Sequence, residues 1–184
     1  GGQSGSLGQN SCQSISATND GVYVSGHYNG TMYLGSNTLT DSNLKSTGFV
    51  AKLNSNGTWA WATQPTSSPA SGSIHETVSE MTHVAVLDDD SLYVVGRHET
   101  DLNFGNFAQN YQTSYRYSGN QNTKGFNNFV AKLDVNQTWQ WVKPIWNTYT
   151  PWVDEIELDS AGDLYLSGGS QGSVNISGTV NSTG

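Results

Sequence analysis

Residues 48–65 read GFVAKLNSNGTWAWATQP, and residues 127–144 read NNFVAKLDVNQTWQWVKP. Phe49, Lys52, Leu53, Thr58, Trp59 and Trp61 return 80 positions later as Phe129, Lys132, Leu133, Thr138, Trp139 and Trp141, and a proline closes each copy. A repeat of this kind fixes the architecture before any single residue is weighed. Each copy carries a hairpin pattern: a five-residue apolar run, a polar turn, then Trp-x-Trp. At a period of two, the Phe, Ala and Leu of FVAKL share one face and Val and Lys the other, and the two indoles of each Trp-x-Trp share a face. Apolar residues on both sides predict a sheet covered on both faces.

A second block recurs ahead of each hairpin: ISATNDGVYVSG (15–26), VAVLDDDSLYVVG (84–96) and IELDSAGDLYLSG (156–168). Tyr23, Tyr93 and Tyr165 are equivalent, as are Gly26, Gly96 and Gly168. Three residues before each block stands Cys12, Met81 or Val153, an apolar slot, so Cys12 is expected to be a buried packing residue. As the single cysteine it has no internal disulfide partner. TMYLG (31–35), DLNFG (101–105) and SVNISG (173–178) correspond loosely. One repeat is then four strands, at 15–17, 22–26, 49–53 and 59–63, with the second copy at 84–87, 92–96, 129–133 and 139–142. The third copy shows the first two strands only.

The composition agrees with an all-β chain. Charged residues are 12% of 184, about half the usual share, while aromatics reach 11% and glycines number 21. A net charge of −8 disfavours nucleic-acid and anionic-membrane partners. No apolar run approaches the ~18 residues of a membrane-spanning helix. With Gly1 at its start and no Met, the chain reads as a processed product or an excised piece.

Four short antiparallel strands per repeat are the mark of a propeller blade. The pattern I-x-V/L-D-x-x-G-x-Ψ-Y-Ψ-x-G, then FG, FVAKL and G-x-W-x-W, resembles the β-propeller repeat family of secreted bacterial and archaeal proteins. The opening GGQSGS is similar to the Gly-rich link after the fourth strand in that family. The resemblance covers nearly the whole chain as one repeat region, 1–184, with blades at about 12–65 and 81–144 and a partial blade at about 153–184. It implies an all-β array of about two and a half blades and an extracellular setting, secreted or at the cell surface, and it carries no catalytic residue across. The chain departs from the family in a lengthened 97–128 segment and in having too few blades to close a ring. Open terminal faces predict either further blades on the parent chain or association with copies of itself.

Tight turns (TNDG, DDDS, SAGD; NSNG, DVNQ) fall at one end of the repeat and long, variable connections at the other, where recognition is expected. That end is expected to display Tyr28, Tyr111, Tyr115, Arg116, Tyr117, Trp146, Tyr149 and Trp152. Such aromatics beside Asn, Gln and Ser suit stacking on sugar rings; packing of the loops onto the sheet edge is the simpler role and the favoured one. Asp88, Asp89 and Asp90 invite a structural calcium ion, but their place on a tight turn favours turn chemistry. The four histidines show no metal spacing, and neither a metal site nor another cofactor is expected. A G-x-S-x-G nucleophile elbow is absent. Sequons at Asn29, Asn56, Asn136, Asn175 and Asn181 mark candidate glycosylation sites in a chain rich in Asn, Ser and Thr; Asn56 and Asn136 share one turn position and read as residues tolerant of positive φ. These readings predict a non-catalytic extracellular structural or recognition module. The alternatives are a carbohydrate-binding module, a self-assembling unit of a filament or surface layer and, least favoured, a glycosidase or lyase.

Overall fold

The computed structural model describes residues 3–4, 10–41, 46–67, 78–112, 115–118, 121–146, 149–170 and 175–176. They form an all-β structure with no helix among the described residues. The first repeat holds β1 (Gln3–Ser4), β2 (Ser11–Thr18), β3 (Gly21–Tyr28), β4 (Thr31–Leu34), β5 (Asn37–Thr40), β6 (Thr47–Asn54) and β7 (Trp59–Thr63). There follow β8 (Thr66–Ser67), β9 (Ser79–Val86), β10 (Leu92–His98), β11 (Leu102–Phe104), β12 (Phe107–Gln109), β13 (Tyr115–Ser118), β14 (Gln121–Lys124), β15 (Asn127–Leu133) and β16 (Trp139–Trp146). The last are β17 (Trp152–Leu158), β18 (Leu164–Gly169) and β19 (Asn175–Ile176).

The repeats become equivalent antiparallel sheets. The first sheet has the order β2-β3-β6-β7, the second β9-β10-β15-β16 with β19 added outside β16, and the third pairs β17 with β18. The expected strands are all present and mostly longer at their ends, although Leu87 lies just past the end of β9, ahead of the turn.

Two irregularities recur and explain the repeated residues. In β2, β9 and β17 one extra residue bulges out, at Gln13, Thr82 and Asp154. The bulge pulls the preceding carbonyl over Gly26, Gly96 and Gly168, where a Cβ would lie 2.0, 2.4 and 2.1 Å from the oxygens of Ser11, Glu80 and Trp152. Only glycine fits so close an approach. The second bulge falls in β7 and β16, because Lys52 faces Trp61 and Leu53 faces Trp59, with Lys132 and Leu133 doing the same. This overturns the expectation that each Trp-x-Trp shares a face. The extra residue, Ala60 or Gln140, turns the indoles to opposite sides of the sheet, so each serves a different core.

Three cores result. Tyr28, Met32, Leu34, Leu39, Phe49, Ala51 and Trp59 occupy the outer side of the first sheet. Between the first and second sheets lie Tyr23, Val50 and Trp61 against Met81, Val84, Val94, Phe129, Ala131 and Trp139. Between the second and third, Val95, Val130, Ile145 and Trp141 meet Val153, Ile156 and Leu164. Phe, Ala and Leu of FVAKL thus face backward and Val forward, as their alternation requires. The connections after β3 and β10, expected as display loops, are instead hairpins. β4–β5 brings Met32, Leu34 and Leu39 onto the back of the first sheet, and β11–β12 brings Leu102 and Phe104 onto the back of the second.

The tight turn of the first hairpin repeat places Gly57 at φ 82°, while the second places Gln137 at φ 59°. Positive φ falls one residue after Asn56 and Asn136, so it is not these asparagines that absorb it. Asn56 instead accepts from the Thr58 amide at 3.0 Å. The left-handed region costs a side-chain-bearing residue about 1–2 kcal/mol, partly offset by glycine's larger entropy loss. Gln137→Gly is therefore expected to stabilise the fold by up to about 1 kcal/mol, read as a higher denaturant midpoint with unchanged slope.

Candidate functional site

The junction of the first two sheets is crossed by side-chain contacts at both of its ends. At the tight-turn end, Asp90 of the β9–β10 turn accepts from the Tyr23 hydroxyl at 2.9 Å and from Lys52 Nζ at 3.3 Å. Asp90 has φ 62°, a strained turn position that aims its carboxylate across the junction. Burial pushes the Tyr23 phenol up, and the Tyr23 hydroxyl beside it raises Lys52. Lys52 also sits 4.9 Å from the Tyr23 ring centroid. The third sheet carries Gly162, which has no side chain, at the turn position of Asp90, and Tyr93 and Lys132 of the second sheet make a cation–π contact at 5.3 Å.

At the opposite end, Glu80, only 8% exposed, takes Arg97 Nε at 2.8 Å and Gln13 Nε2 at 3.2 Å. Gln13 also meets His27 Nδ1 at 3.0 Å, and Arg97 lies 4.5 Å over the Phe126 ring. Glu80 is thus compensated from both sheets, as a buried carboxylate requires. Between these ends the Val84 amide donates to Ser14 Oγ at 3.2 Å and the Gly48 amide to Ser79 Oγ at 3.0 Å. Among the described residues, the junction of the second and third sheets is tied by Asn128 Nδ2 donating to Pro151 O at 3.0 Å and by the His83 ring at 3.2 Å from Asp154 O.

One further tie occurs three times. β8, which follows the fourth strand of the first sheet, pairs with β11 in the second repeat. The tail of β16 pairs with β19 in the third, and β1 pairs with β4 in the first. Thr66, Trp146 and Gln3 occupy one equivalent position opposite Asn103, Asn175 and Tyr33. The sequence signalled this only through the loose likeness of residues 31–35, 101–105 and 173–178.

The candidate residues of the long-connection end divide. Tyr28, expected on display, is fully buried in the core on the outer side of the first sheet, where its hydroxyl donates to Gln64 Oε1. Tyr111 is half-buried, donates to Gly125 O at 2.9 Å and packs edge-on to the His98 ring, so it ties the residues just after β12 to the end of β10 and to Gly125. Tyr115, Arg116 and Tyr117 lie in β13, which forms a hairpin with β14, and Trp146 ends β16; their side chains lie outside the described residues. Tyr149 and Trp152 are exposed, at 37% and 48%, and the Trp152 indole donates to Asp154 at 3.2 Å. Among the sequons, Asn56 and Asn136 stand exposed on tight turns and Asn29 is half-buried. Asn175 lies in β19 with its side chain outside the described residues, as Asn181 is entirely.

The acidic turns are occupied by protein donors. Asp89 accepts from the Ser91 hydroxyl and amide, which holds its carboxyl below the usual range. Asp159, held low in the same way by the backbone amides of its turn, also accepts from Tyr165, whose phenol it pushes up. No group of three or more His, Cys, Asp or Glu able to hold a metal ion is found among the described residues. Cys12, expected to be buried, is exposed. Its counterpart Met81 is covered by the first sheet, whereas no sheet among the described residues covers Cys12.

No protein-family model matches this chain, and no curated protein matches it.

Proposed function

We propose that the chain is a run of β-propeller blades from a secreted or cell-surface protein, serving as a non-catalytic structural or recognition module. The observation that carries this reading is the convergence of the first strands of the three repeat sheets, β2, β9 and β17, on one cleft. Ser14, Ile15 and Ser16 of β2, residues 83–86 of β9 and residues 155–158 of β17 line a space of about 320 Å³. Inner strands gathered round an axis, with each sheet laid face-on against the next, are what a propeller requires. The likeness of FVAKL and Ψ-Y-Ψ-x-G to secreted propeller repeats supports the extracellular setting. Incubating the chain with a panel of glycosides and polyuronides tests the absence of catalysis: no product is expected, and turnover would overturn the reading.

A carbohydrate-binding role is the second reading, favoured by the exposed rings of Tyr149 and Trp152 at the long-connection end. Glycan-array binding that Trp152→Ala reduces at least about tenfold would establish it; a blank array would remove it.

A further inference from the structure

We propose that copies of this chain associate head to tail, the uncovered face of β2 in one copy receiving the outer face of β17–β18 in the next. This rests on the stacked-blade reading above. Both halves of an inter-sheet contact are exposed on one chain. The receiving half is the back of β2, where Ile15 is 67% exposed although its equivalent Val84 is 4% exposed. Cys12 beside it is likewise open where Met81 is fully covered. The inserting half is Tyr165, 58% exposed, where its equivalent Tyr23 is 1% exposed against the second sheet.

The two halves match in chemistry. Tyr23 reaches the β9–β10 turn and finds Asp90; Tyr165, whose hydroxyl rests on Asp159 of its own turn in the single chain, meets on entering the same way the β2–β3 turn, which offers exposed Asp20. Ser14 accepts the outward amide of Val84; Glu155 stands at the place of Ser14 and presents its carboxylate to the outward amide of Ile15. The β4–β5 hairpin already covers the outer part of the first sheet. The surface left to fill is thus the inner strand, which is the part that two strands can cover. Because the two surfaces differ, the contact is heterologous and builds a ring or an open chain of copies. Each copy carries a net charge of −8, so salt strengthens the contact by screening repulsion.

Sedimentation velocity of the full chain over roughly a hundredfold range of concentration tests this. The expected result is a mass that rises with concentration and with salt, and an association constant reduced at least about tenfold in both Ile15→Lys and Tyr165→Lys. Both side chains are exposed, and Tyr165→Lys gives up only the exposed hydrogen bond to Asp159, so an unchanged far-ultraviolet circular dichroism spectrum is expected of both variants. Alkylation of Cys12 is expected to slow as the chain associates. A wild-type chain that stays monomeric throughout, or association undiminished in both variants, would overturn the proposal. Gly48→Val separates this from failure of the stacked-sheet reading, since a Cβ at Gly48 already lies 2.9 Å from Met81 N across the first junction. If the wild type is monomeric while Gly48→Val lowers the melting temperature, only the head-to-tail surface fails. If Gly48→Val is also harmless, the stacking beneath it fails too.

Discussion

Gly96→Ala is expected to cost at least about 3 kcal/mol, a large part of the stability of a domain this size. The added Cβ would stand 2.4 Å from Glu80 O and 2.4 Å from the Phe129 ring. Neither can retreat: the carbonyl belongs to the bulged turn of β9, and Phe129 is fully buried between the β11–β12 hairpin and its own sheet. For a chain of this length the melting temperature should fall by roughly 6–12 °C in calorimetry. Gly57→Ala is the control. Nothing lies within 4 Å of its Cβ position, and only its φ of 82° opposes the change, so about 1 kcal/mol is expected. Equal losses at the two sites would refute the close-approach account of the repeated glycine.

Phe104→Ala should be similarly damaging, by about 3–5 kcal/mol in urea unfolding. Phe104 is fully buried, and its ring lies 4.9 Å from both Phe129 and Trp139, edge-on to each. Removing it takes away what holds the β11–β12 hairpin on the second sheet and leaves a cavity beside two large rings. Phe107, its cross-strand neighbour on the same hairpin, is 36% exposed. Phe107→Ala is expected to cost under about 1 kcal/mol. A hairpin that merely decorated the surface would show no such contrast.

Much of this architecture was legible in the chain because its signals are local. Alternation in FVAKL assigns Phe49 and Ala51 to one core and Val50 to another. The repeated Ψ-Y-Ψ-x-G locates the second strand and its tight turn. What was not legible depends on register or on distant partners. Nothing in Trp-Ala-Trp or Trp-Gln-Trp announces the bulge that parts the two indoles. The run Asp88 to Asp90 reads as a turn, and the partners that give Asp90 its role, Tyr23 and Lys52, belong to another repeat. The exposure of Cys12 against the burial of Met81 is a property of neighbouring sheets and not of the residue. The two lid hairpins were within reach. Gly35-Ser36 and Gly105-Asn106 are two-residue turns between short strands, three of which place one or two apolar residues inward, with the glycines at φ 63° and 60°.

The central claim is that the second sheet lies face-on against the first, with β9 covered and β2 open. Amide exchange compares the two strands directly, since both are first strands of their sheets and Ile15 and Val84 are equivalent. In dilute monomeric protein the Val84 amide, tied to Ser14 Oγ, should exchange at least about a hundredfold more slowly than the Ile15 amide. Equal rates at the two positions would contradict the stacking of the sheets.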